Sequence, residues 1–447
     1  MVTVCIQSLR VFRYHGALFA HGWAFFLPKA TFSAEPPGRP RHYREPPPCV
    51  VNMQARAPGI NSAPDMEMQS MPIRVAVPKE TTADECRVAL DPIVAERFSK
   101  LGCEVLIEAG AGATARHTDA AYTTAKAIAD RRELLGQADV LFKVQPPTEA
   151  EVDALKEGAV VVSFMQPHKN AALVTKLRDR KITSFAMELI PRISRAQSMD
   201  ALSSQAAVAG YKAALMAASL SGRFFPMLTT AAGTIRPSKV LVIGAGVAGL
   251  QAIATAKRLG AVVEGYDVRS ATKEQVQSLG AKFVDTGVAA EGTGGYAREL
   301  TEDEKQKQAE ILAKHIAAAD AVITTAAIPG RASPRIIPAS VVAQMQPGAV
   351  IIDLAAEGGG NCELTQPGEQ IEHNGVVIYG PLNVPSMLPV HASEMYAKNL
   401  LNFLSPMIKN GELNLDWDDE VIRDSALTHA GEIKHAPTRA LVEGANS

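Results

Sequence analysis

The chain has 447 residues, enough for two domains of ordinary size, and its 45 Lys and Arg nearly balance its 47 Asp and Glu. The resulting net charge of −2 excludes bulk electrostatic attraction to nucleic acid. The sequence contains no run of about 20 apolar residues, so no membrane span is predicted. Five cysteines without a CxxC pair favour a reduced, cytosolic setting, and the absence of metal-ligand spacing predicts no metal site.

Residues 1–70 differ in composition from the rest of the chain. Up to Pro64 they contain seven Lys and Arg, two Asp and Glu, and nine prolines. The mildly apolar stretch 16–28 is interrupted by His21 and lacks a clear cleavage site after it. We therefore interpret residues 1–70 as a disordered extension or as the product of a start codon assigned too far upstream.

From residue 71 to about residue 200, short apolar strands alternate with helices. Asp91 followed by Pro92 is typical of a helix start, with a capping residue before a proline in the first turn. The alternation predicts a mostly parallel sheet wrapped by helices. The predicted strands are 73–77, 104–107, 140–144, 159–164 and 182–187, and the predicted helices include 92–101 and 171–180.

A second unit is predicted over residues 201–387, reached through a long helix at about 199–220. The apolar stretch near 224–236 fits neither neighbouring βα unit and predicts a hairpin, covered by a partner subunit or by its own core. A helix at 393–403 returns the chain to the first domain, which residues 388–447 complete. Further strands are predicted at 240–243, 261–266, 282–284, 321–325, 349–354 and 376–379. The fold class is therefore α/β, with two Rossmann-like doubly wound parallel-sheet domains and a cleft between them.

The most informative motif is a glycine turn between an apolar strand and a helix. Gly244, Gly246 and Gly249 have the GxGxxG spacing that brings a pyrophosphate to a helix N-terminus. Asp267 ends the next strand, 18 residues after the last glycine, where a carboxylate accepts the ribose hydroxyls of adenosine. The pattern predicts NAD(H) binding. A carboxylate would repel the 2′-phosphate of NADP(H), a preference that Arg269 weakens, and a purely structural turn is the alternative.

A long loop is predicted near residues 286–300. It contains four glycines and shows no apolar periodicity, and a charged helix at 302–315 follows it. Loops of this length inside a compact domain are usually functional. We therefore expect a mobile loop that acts at the nucleotide site.

Several segments together resemble one known family. Residues 192–200, Arg-Ile-Ser-Arg-Ala-Gln-Ser-Met-Asp, and 202–205, Leu-Ser-Ser-Gln, are similar to the nicotinamide-side segment of domain I of proton-translocating NAD(P) transhydrogenases. The resemblance covers nearly everything from residue 72 onward. It continues through residues 233–234, the Gly loop and its helix, 267–269, 294–297, 351–355 and 398–403.

The resemblance implies a soluble first portion of an alpha subunit that forms a homodimer and binds NAD(H). Its implied partners are a membrane subunit and a beta subunit that binds NADP(H). NADH would pass a hydride directly to NADP+ on the partner, driven by proton flow through the membrane subunit. The implied location is the cytoplasm, at the cytoplasmic face of the inner membrane through partner subunits and without direct membrane insertion.

The resemblance also assigns residues to the nicotinamide end of the site. Arg192, Asp200 and Ser203 would hold the carboxamide and ribose of NADH, and Gln197 would span the gap to the second nucleotide; these four are the predicted catalytic residues. Hydride transfer between two nicotinamides needs ring positioning and exclusion of water, with no general acid or base. A surface ion pair between Arg192 and Asp200 is the alternative. Further predicted contacts in this segment are Ile193, Ser194, Arg195, Ser198 and Met199.

At the adenosine end, the resemblance implies that Tyr296 closes the mobile loop over the nucleotide. Gly295 and Gln308 would lie beside the adenosine. Tyr211 would support the site or belong to the core. The remaining predicted nucleotide contacts are Val247, Val268, Arg269 and Ala327.

Two other functions compete with this interpretation. Alanine dehydrogenase shares the fold and the early motifs, and Arg87 with Lys143 could clamp a substrate carboxylate. Where that family has Tyr-Leu-His, however, residues 164–166 are Phe-Met-Gln, and His168 is a weak substitute for the missing proton-transfer group. The second alternative is a non-catalytic NAD(H)-sensing module.

Overall fold

Runs of Val, Ile and Leu form the central strands of two sheets, because strands covered by helices on both faces are apolar throughout. The two sheets are seen in a computed structural model, which describes residues 72–287, 301–327, 331–409 and 411–444. The predicted extension 1–70 and most of the predicted loop near 286–300, with Gly295 and Tyr296, lie outside the described residues.

The first sheet is built from the first βα units of the described chain. Its six parallel strands are arranged in the order β3-β2-β1-β4-β5-β6, so the chain starts in the middle and winds outward in both directions. The elements are β1 (Arg74–Val77), α1 (Pro92–Lys100), β2 (Glu104–Glu108), β3 (Lys126–Ile128), α2 (Arg131–Gln137), β4 (Val140–Phe142), α3 (Glu149–Ala154), β5 (Val160–Ser163), α4 (Ala171–Asp179) and β6 (Thr183–Ala186).

A long helix and a hairpin connect the two sheets. The helix is α5 (Ala201–Leu220), and the hairpin pairs β7 (Leu228–Thr230) with β8 (Gly233–Ile235) in antiparallel register. Every residue of β8 is exposed, and Met227 just before β7 is 64% exposed. The core of this chain therefore does not cover the hairpin.

The second sheet has the order β11-β10-β9-β12-β13-β15-β14, parallel except for the edge strand β14. Its central strand β9 lies between β10 and β12, which is the point where the winding direction changes. The elements are β9 (Lys239–Ile243), α6 (Val247–Arg258), β10 (Val262–Tyr266), α7 (Thr272–Ser278), β11 (Lys282–Phe283), α8 (Glu302–Ala317), β12 (Ala321–Thr324), α9 (Ala339–Val342), β13 (Val350–Asp353), β14 (Gln370–His373) and β15 (Val376–Tyr379).

The C-terminal region of the chain returns to the first sheet. Strand β18 pairs antiparallel with β6, and β19 pairs with β18, so the first sheet has eight strands. The elements are α10 (Pro389–Leu404), β16 (Ile408–Lys409), β17 (Glu412–Leu413), α11 (Glu420–Ser425), β18 (Ala426–His429), β19 (Glu432–Ile433) and α12 (Ala436–Gly444).

The predicted fold class is confirmed by the two doubly wound sheets, and the differences from prediction are local. Helix α10 begins four residues before the predicted start, because Pro389 occupies its first turn, where proline is favoured. Tyr211 is 42% exposed, so of its two predicted roles the one in the core is wrong. No helix in the described ranges combines the length and the apolar character needed to cross a bilayer.

Candidate nucleotide-binding site

The Gly loop lies between β9 and α6, at the point where the second sheet changes winding direction. Gly244 has φ of +94°, a conformation that favours glycine, and a β-carbon at Gly249 would lie 1.8 Å from the Gly244 carbonyl oxygen. At Gly246, by contrast, a β-carbon would enter open space. Gly249 thus packs tightly against the turn, whereas Gly246 leaves open space at the N-terminus of α6. A bound pyrophosphate requires such space.

Asp267 follows the last residue of β10 and faces the Gly loop. Its Oδ2 accepts a hydrogen bond from the backbone N–H of Ala245 at 2.7 Å, so the carboxylate braces the glycine turn. The side chain of Arg269 forms a bidentate pair with the same carboxylate, through Nε at 2.8 Å and Nη2 at 2.7 Å. The predicted ribose-binding carboxylate is therefore already engaged by Arg269, which was itself predicted as a nucleotide contact and as a modifier of cofactor preference.

The nicotinamide-side segment ends in a capped helix. Asp200 precedes α5, and its carboxylate accepts from the backbone N–H of Ser203 at 2.9 Å and from the Ser203 hydroxyl at 2.6 Å. Two of the four predicted catalytic residues, Asp200 and Ser203, are thus in direct contact. A carboxylate at this position is also favoured by the helix dipole.

Immediately before this cap, residues Ser194–Met199 form a 3₁₀ turn. Ala196 is buried, and Met199 packs against the core of the first sheet, so the turn is anchored from below. Gln197 is exposed, as is Arg192 before the turn. The turn therefore displays its polar residues on the surface of the chain.

Arg195, a predicted nucleotide contact in the same turn, is paired with acidic residues of the C-terminal region. Its guanidinium binds the carboxylate of Asp419 at 3.0 and 2.6 Å and lies 3.4 Å from Glu420. These acidic residues belong to the N-terminus of α11. In the described structure Arg195 joins the exposed turn to the C-terminal elements.

Helix α5 brings the nicotinamide-side segment and the Gly loop into one rigid frame. A β-carbon at Gly210 would lie 2.0 Å from the carbonyl oxygen of Ala248 in the first turn of α6, so glycine is required for this close crossing. Ten residues of helix separate Asp200 from Gly210, about 15 Å at 1.5 Å per residue. One helix therefore sets the spacing between the two ends of the predicted site.

A buried carboxylate organises the loops at the ends of β12 and β13. Asp353 accepts hydrogen bonds from five donors, among them the backbone N–H of Asn361 at 2.7 Å. Asn361 in turn bonds both the N–H and the carbonyl of Ala326, at 3.0 and 2.7 Å. This arrangement positions the predicted contact Ala327. The roles of Asp353 and Asn361 were not predicted. Four of the donors to Asp353 lie within 12 residues of it but in irregular loops, and Asn361 contacts Ala326, 35 residues earlier in the chain.

The other predicted adenosine contacts lie at the start of α6, after the end of β10 and on α8. Val247 is exposed at the start of α6, and Val268 packs partly against the core of the second sheet. On α8, the side-chain oxygen of Gln308 is buried and has no hydrogen-bond partner among the residues that the structure describes. A buried acceptor of this kind fits a donor on a bound nucleotide.

Arg87, the first cation of the alternative carboxylate clamp, is 4% exposed and already paired. It binds Glu85 through Nε at 2.7 Å and Nη2 at 2.6 Å, Gln205 of α5 at 2.9 Å and Asn383 at 3.1 Å. Burial alone would raise the pKa of Glu85, but the hydrogen bonds and charge of Arg87 outweigh it and hold that pKa below its ordinary value.

Lys143, the second cation, is also fully buried and lies 3.3 Å from Glu80 and 3.2 Å from Glu151. Burial raises the pKa of Glu80 despite the lysine. Burial and the charge of Lys169 lower the pKa of His168, which favours the neutral imidazole. Within the described ranges, no group of three or more His, Cys, Asp or Glu side chains could hold a metal ion.

Family models, curated proteins and a solved structure all show similarity to the same group of proteins. The alanine dehydrogenase/PNT N-terminal domain matches residues 76–209, and the alanine dehydrogenase/PNT C-terminal domain matches residues 213–436. The first of the polypeptides that make up the NAD(P) transhydrogenase alpha subunit of Rhodospirillum rubrum is 49% identical, over 81% of this chain and 98% of that protein. An alanine dehydrogenase of Mycobacterium tuberculosis is 28% identical, over 81% and 94% of the two chains. The crystal structure of transhydrogenase from Sinorhizobium meliloti is similar with a TM-score of 0.72 at 43% identity, covering 81% of this chain and 99% of that one.

Proposed function

Because this chain belongs to the alanine dehydrogenase/PNT family, we propose that it is the NAD(H)-binding component of a proton-translocating NAD(P) transhydrogenase. Two units, 71–200 completed by 388–447 and 201–387, would form the cradle for NADH. NADP(H) would be held by a partner beta subunit, and a membrane subunit would couple hydride transfer to proton translocation.

The observation that carries this proposal is the exposed turn Ser194–Met199. It places Gln197 on the surface, immediately before the capped start of α5. A chain that completes its reaction alone would enclose the nicotinamide end of its site. An exposed polar turn at this end instead suits a second nucleotide brought by another polypeptide.

The residues of the site are suited to positioning rather than to proton transfer. The dihydronicotinamide ring supplies the hydride when NADH is bound. Asp200 and Ser203 would orient its ribose and carboxamide together with Arg192, and Gln197 would reach toward the acceptor nucleotide. Since no proton moves at the reacting carbon, no general base is required, and the rate depends on the distance and exclusion of water between the rings.

The same proposal includes a homodimer located at a membrane through its partners. The exposed hairpin β7–β8 supports a homodimer, because its apolar residues, including Met227, need cover from another chain. Attachment would be through a membrane subunit, on the cytoplasmic face of the inner membrane.

Alanine dehydrogenase activity is disfavoured by the state of the two buried cations. Arg87 is saturated by Glu85, Gln205 and Asn383, and Lys143 lies between two carboxylates. A substrate carboxylate would have to displace these partners inside the protein. Binding it would leave a displaced carboxylate buried and unpaired, which is strongly unfavourable.

The decisive experiment combines the purified chain with an isolated NADP(H)-binding partner. We expect rapid hydride exchange between NADH and an NADP+ analogue, followed by absorbance, and no exchange when either protein is omitted. NAD+ reduction by L-alanine with this chain alone would establish the dehydrogenase instead. Tight NADH binding without exchange in the mixture would favour the sensing module.

A further inference from the structure

Two side-chain amides on α10 converge on one backbone carbonyl of the exposed turn. The amide nitrogen of Asn399 donates to the carbonyl oxygen of Ser198 at 2.9 Å, and that of Asn402 donates to the same oxygen at 3.1 Å. The oxygen of the Asn399 amide accepts from the hydroxyl of Ser204 at 2.7 Å. Asn399 therefore bridges the turn and the first residues of α5.

The environment of Asn399 sets it apart from an ordinary polar helix residue. It is 6% exposed on a helix whose neighbouring residues Leu400, Phe403 and Leu404 belong to the core. Asparagine is a weak helix former, and a buried amide is costly unless it is hydrogen-bonded. Both ends of this amide are satisfied, and by two elements that the proposed function assigns to the nicotinamide end.

The chemistry of the two partners fixes the orientation of the Asn399 amide. A backbone carbonyl only accepts hydrogen bonds, so the amide nitrogen must face Ser198 and the amide oxygen must face Ser204. The residue thus tethers the end of the turn, one residue after Gln197, to a helix held by the core. A single side chain thereby links the turn, α5 and α10.

From this geometry we infer that Asn399 is a positioning residue that sets the placement of the turn carrying Gln197 relative to Asp200 and Ser203. The inference rests on the proposed function only for its effect on hydride transfer. Displacements of about 1 Å at a reacting pair can reduce rates by about 100-fold. The tether therefore controls the transfer step more than the binding of NADH.

The first test measures the tether itself and does not depend on the proposed function. In Asn399→Leu, which keeps the branched shape of the side chain and removes both hydrogen bonds of Asn399, amide hydrogen exchange over residues 194–199 should accelerate at least tenfold. Exchange in the middle of α5, around Ala213, should be unchanged. Unchanged exchange in the turn, or equal acceleration throughout α5, would overturn the inference.

The second test uses Asn399→Asp in the mixture with the NADP(H)-binding partner. An ionised carboxylate cannot donate to Ser198, so the rate of hydride exchange at pH 8 should fall at least tenfold while the Kd for NADH changes less than twofold. Burial raises the pKa of a carboxyl introduced at this position, so the carboxyl should gain a proton and donate again as the pH is lowered to about 5.5, and the rate relative to wild type should then recover. Asn399→Leu should show no such recovery.

Asn374→Asp, the same chemical change in the exposed turn between β14 and β15, is the matched control and should behave as wild type at both pH values. If wild type exchanges hydride and Asn399→Asp equals it at pH 8, the positioning inference is wrong. If wild type itself fails to exchange, the proposed function is wrong, and the hydrogen-exchange result alone then decides whether Asn399 tethers the turn.

Discussion

Removal of Arg87 is the perturbation whose effect on stability follows most directly from the structure. In Arg87→Met, the buried Glu85 carboxylate loses two charged hydrogen bonds, of 2.7 and 2.6 Å, and keeps only the amides of Gln145 and Asn383 besides backbone donors. Removing one partner of a buried ion pair costs about 3–5 kcal/mol. We expect the free energy of unfolding to fall by that amount at pH 8, measured by urea denaturation with circular dichroism.

The destabilisation by Arg87→Met should depend on pH. In wild type the pKa of Glu85 is lowered, so its stabilising contribution is present above the unfolded pKa of about 4.3 and is lost as the pH falls through the folded value. Without the guanidinium, burial dominates and raises the pKa of Glu85. The folded variant then binds a proton more readily than the unfolded chain, and its deficit should shrink between pH 8 and pH 5.

Two controls make the reasoning refutable. Glu85→Gln combined with Arg87→Met removes both charges, so its deficit should be smaller than that of Arg87→Met and independent of pH. Arg74→Met breaks a pair with Glu104 that is about one-third exposed, and should cost about 1 kcal/mol or less. A deficit below about 1 kcal/mol for Arg87→Met, identical at pH 5 and pH 8, would refute the argument.

Three further predictions concern the nucleotide site. Gly249→Ala places a β-carbon 1.8 Å from the Gly244 carbonyl oxygen, so the loop must shift, and calorimetric titration should show at least a tenfold loss of NADH affinity. Asp267→Asn removes the charge that would repel a 2′-phosphate and weakens the grip on Arg269, so the ratio of NADPH to NADH affinity should rise at least tenfold in fluorescence titrations; an unchanged ratio would remove Asp267 as the determinant of cofactor choice. Gln197→Asn should impair hydride transfer far more than NADH affinity, and equal losses of both would make Gln197 only a binding residue.

Local apolar runs were sufficient to predict most strands of both sheets, because strands buried on both faces leave a continuous signal in the sequence. The polar C-terminal region carries no such signal. Strands β18 and β19 are short, and their place beside β6 depends on contacts with residues about 240 positions earlier. Their contribution to the first sheet therefore could not be predicted from local patterns.

The candidate site was predictable to the extent that its chemistry lies within one motif. The Gly loop and Asp267 are local in sequence, and they lie at element ends as the strand, glycine turn and helix pattern predicts. The hydrogen bonds from Ser203 to Asp200 are also local, but the cap that they form was not predicted. The pairing of Arg269 with Asp267 depends on rotamers, which spacing does not determine. Asn399 depends on a contact between segments 201 residues apart.

Helix α5 carries three contacts with parts of the chain that are distant in sequence. Its residue Gln205 receives the guanidinium of Arg87, Ser204 binds Asn399, and Gly210 packs against the first turn of α6. Because an α-helix transmits displacement along its length with little bending, a shift at any one of these contacts moves the nicotinamide-side cap and the phosphate-binding turn together. The buried ion pair of Arg87 therefore bears on the position of both ends of the nucleotide site, although it lies outside the residues assigned to NADH.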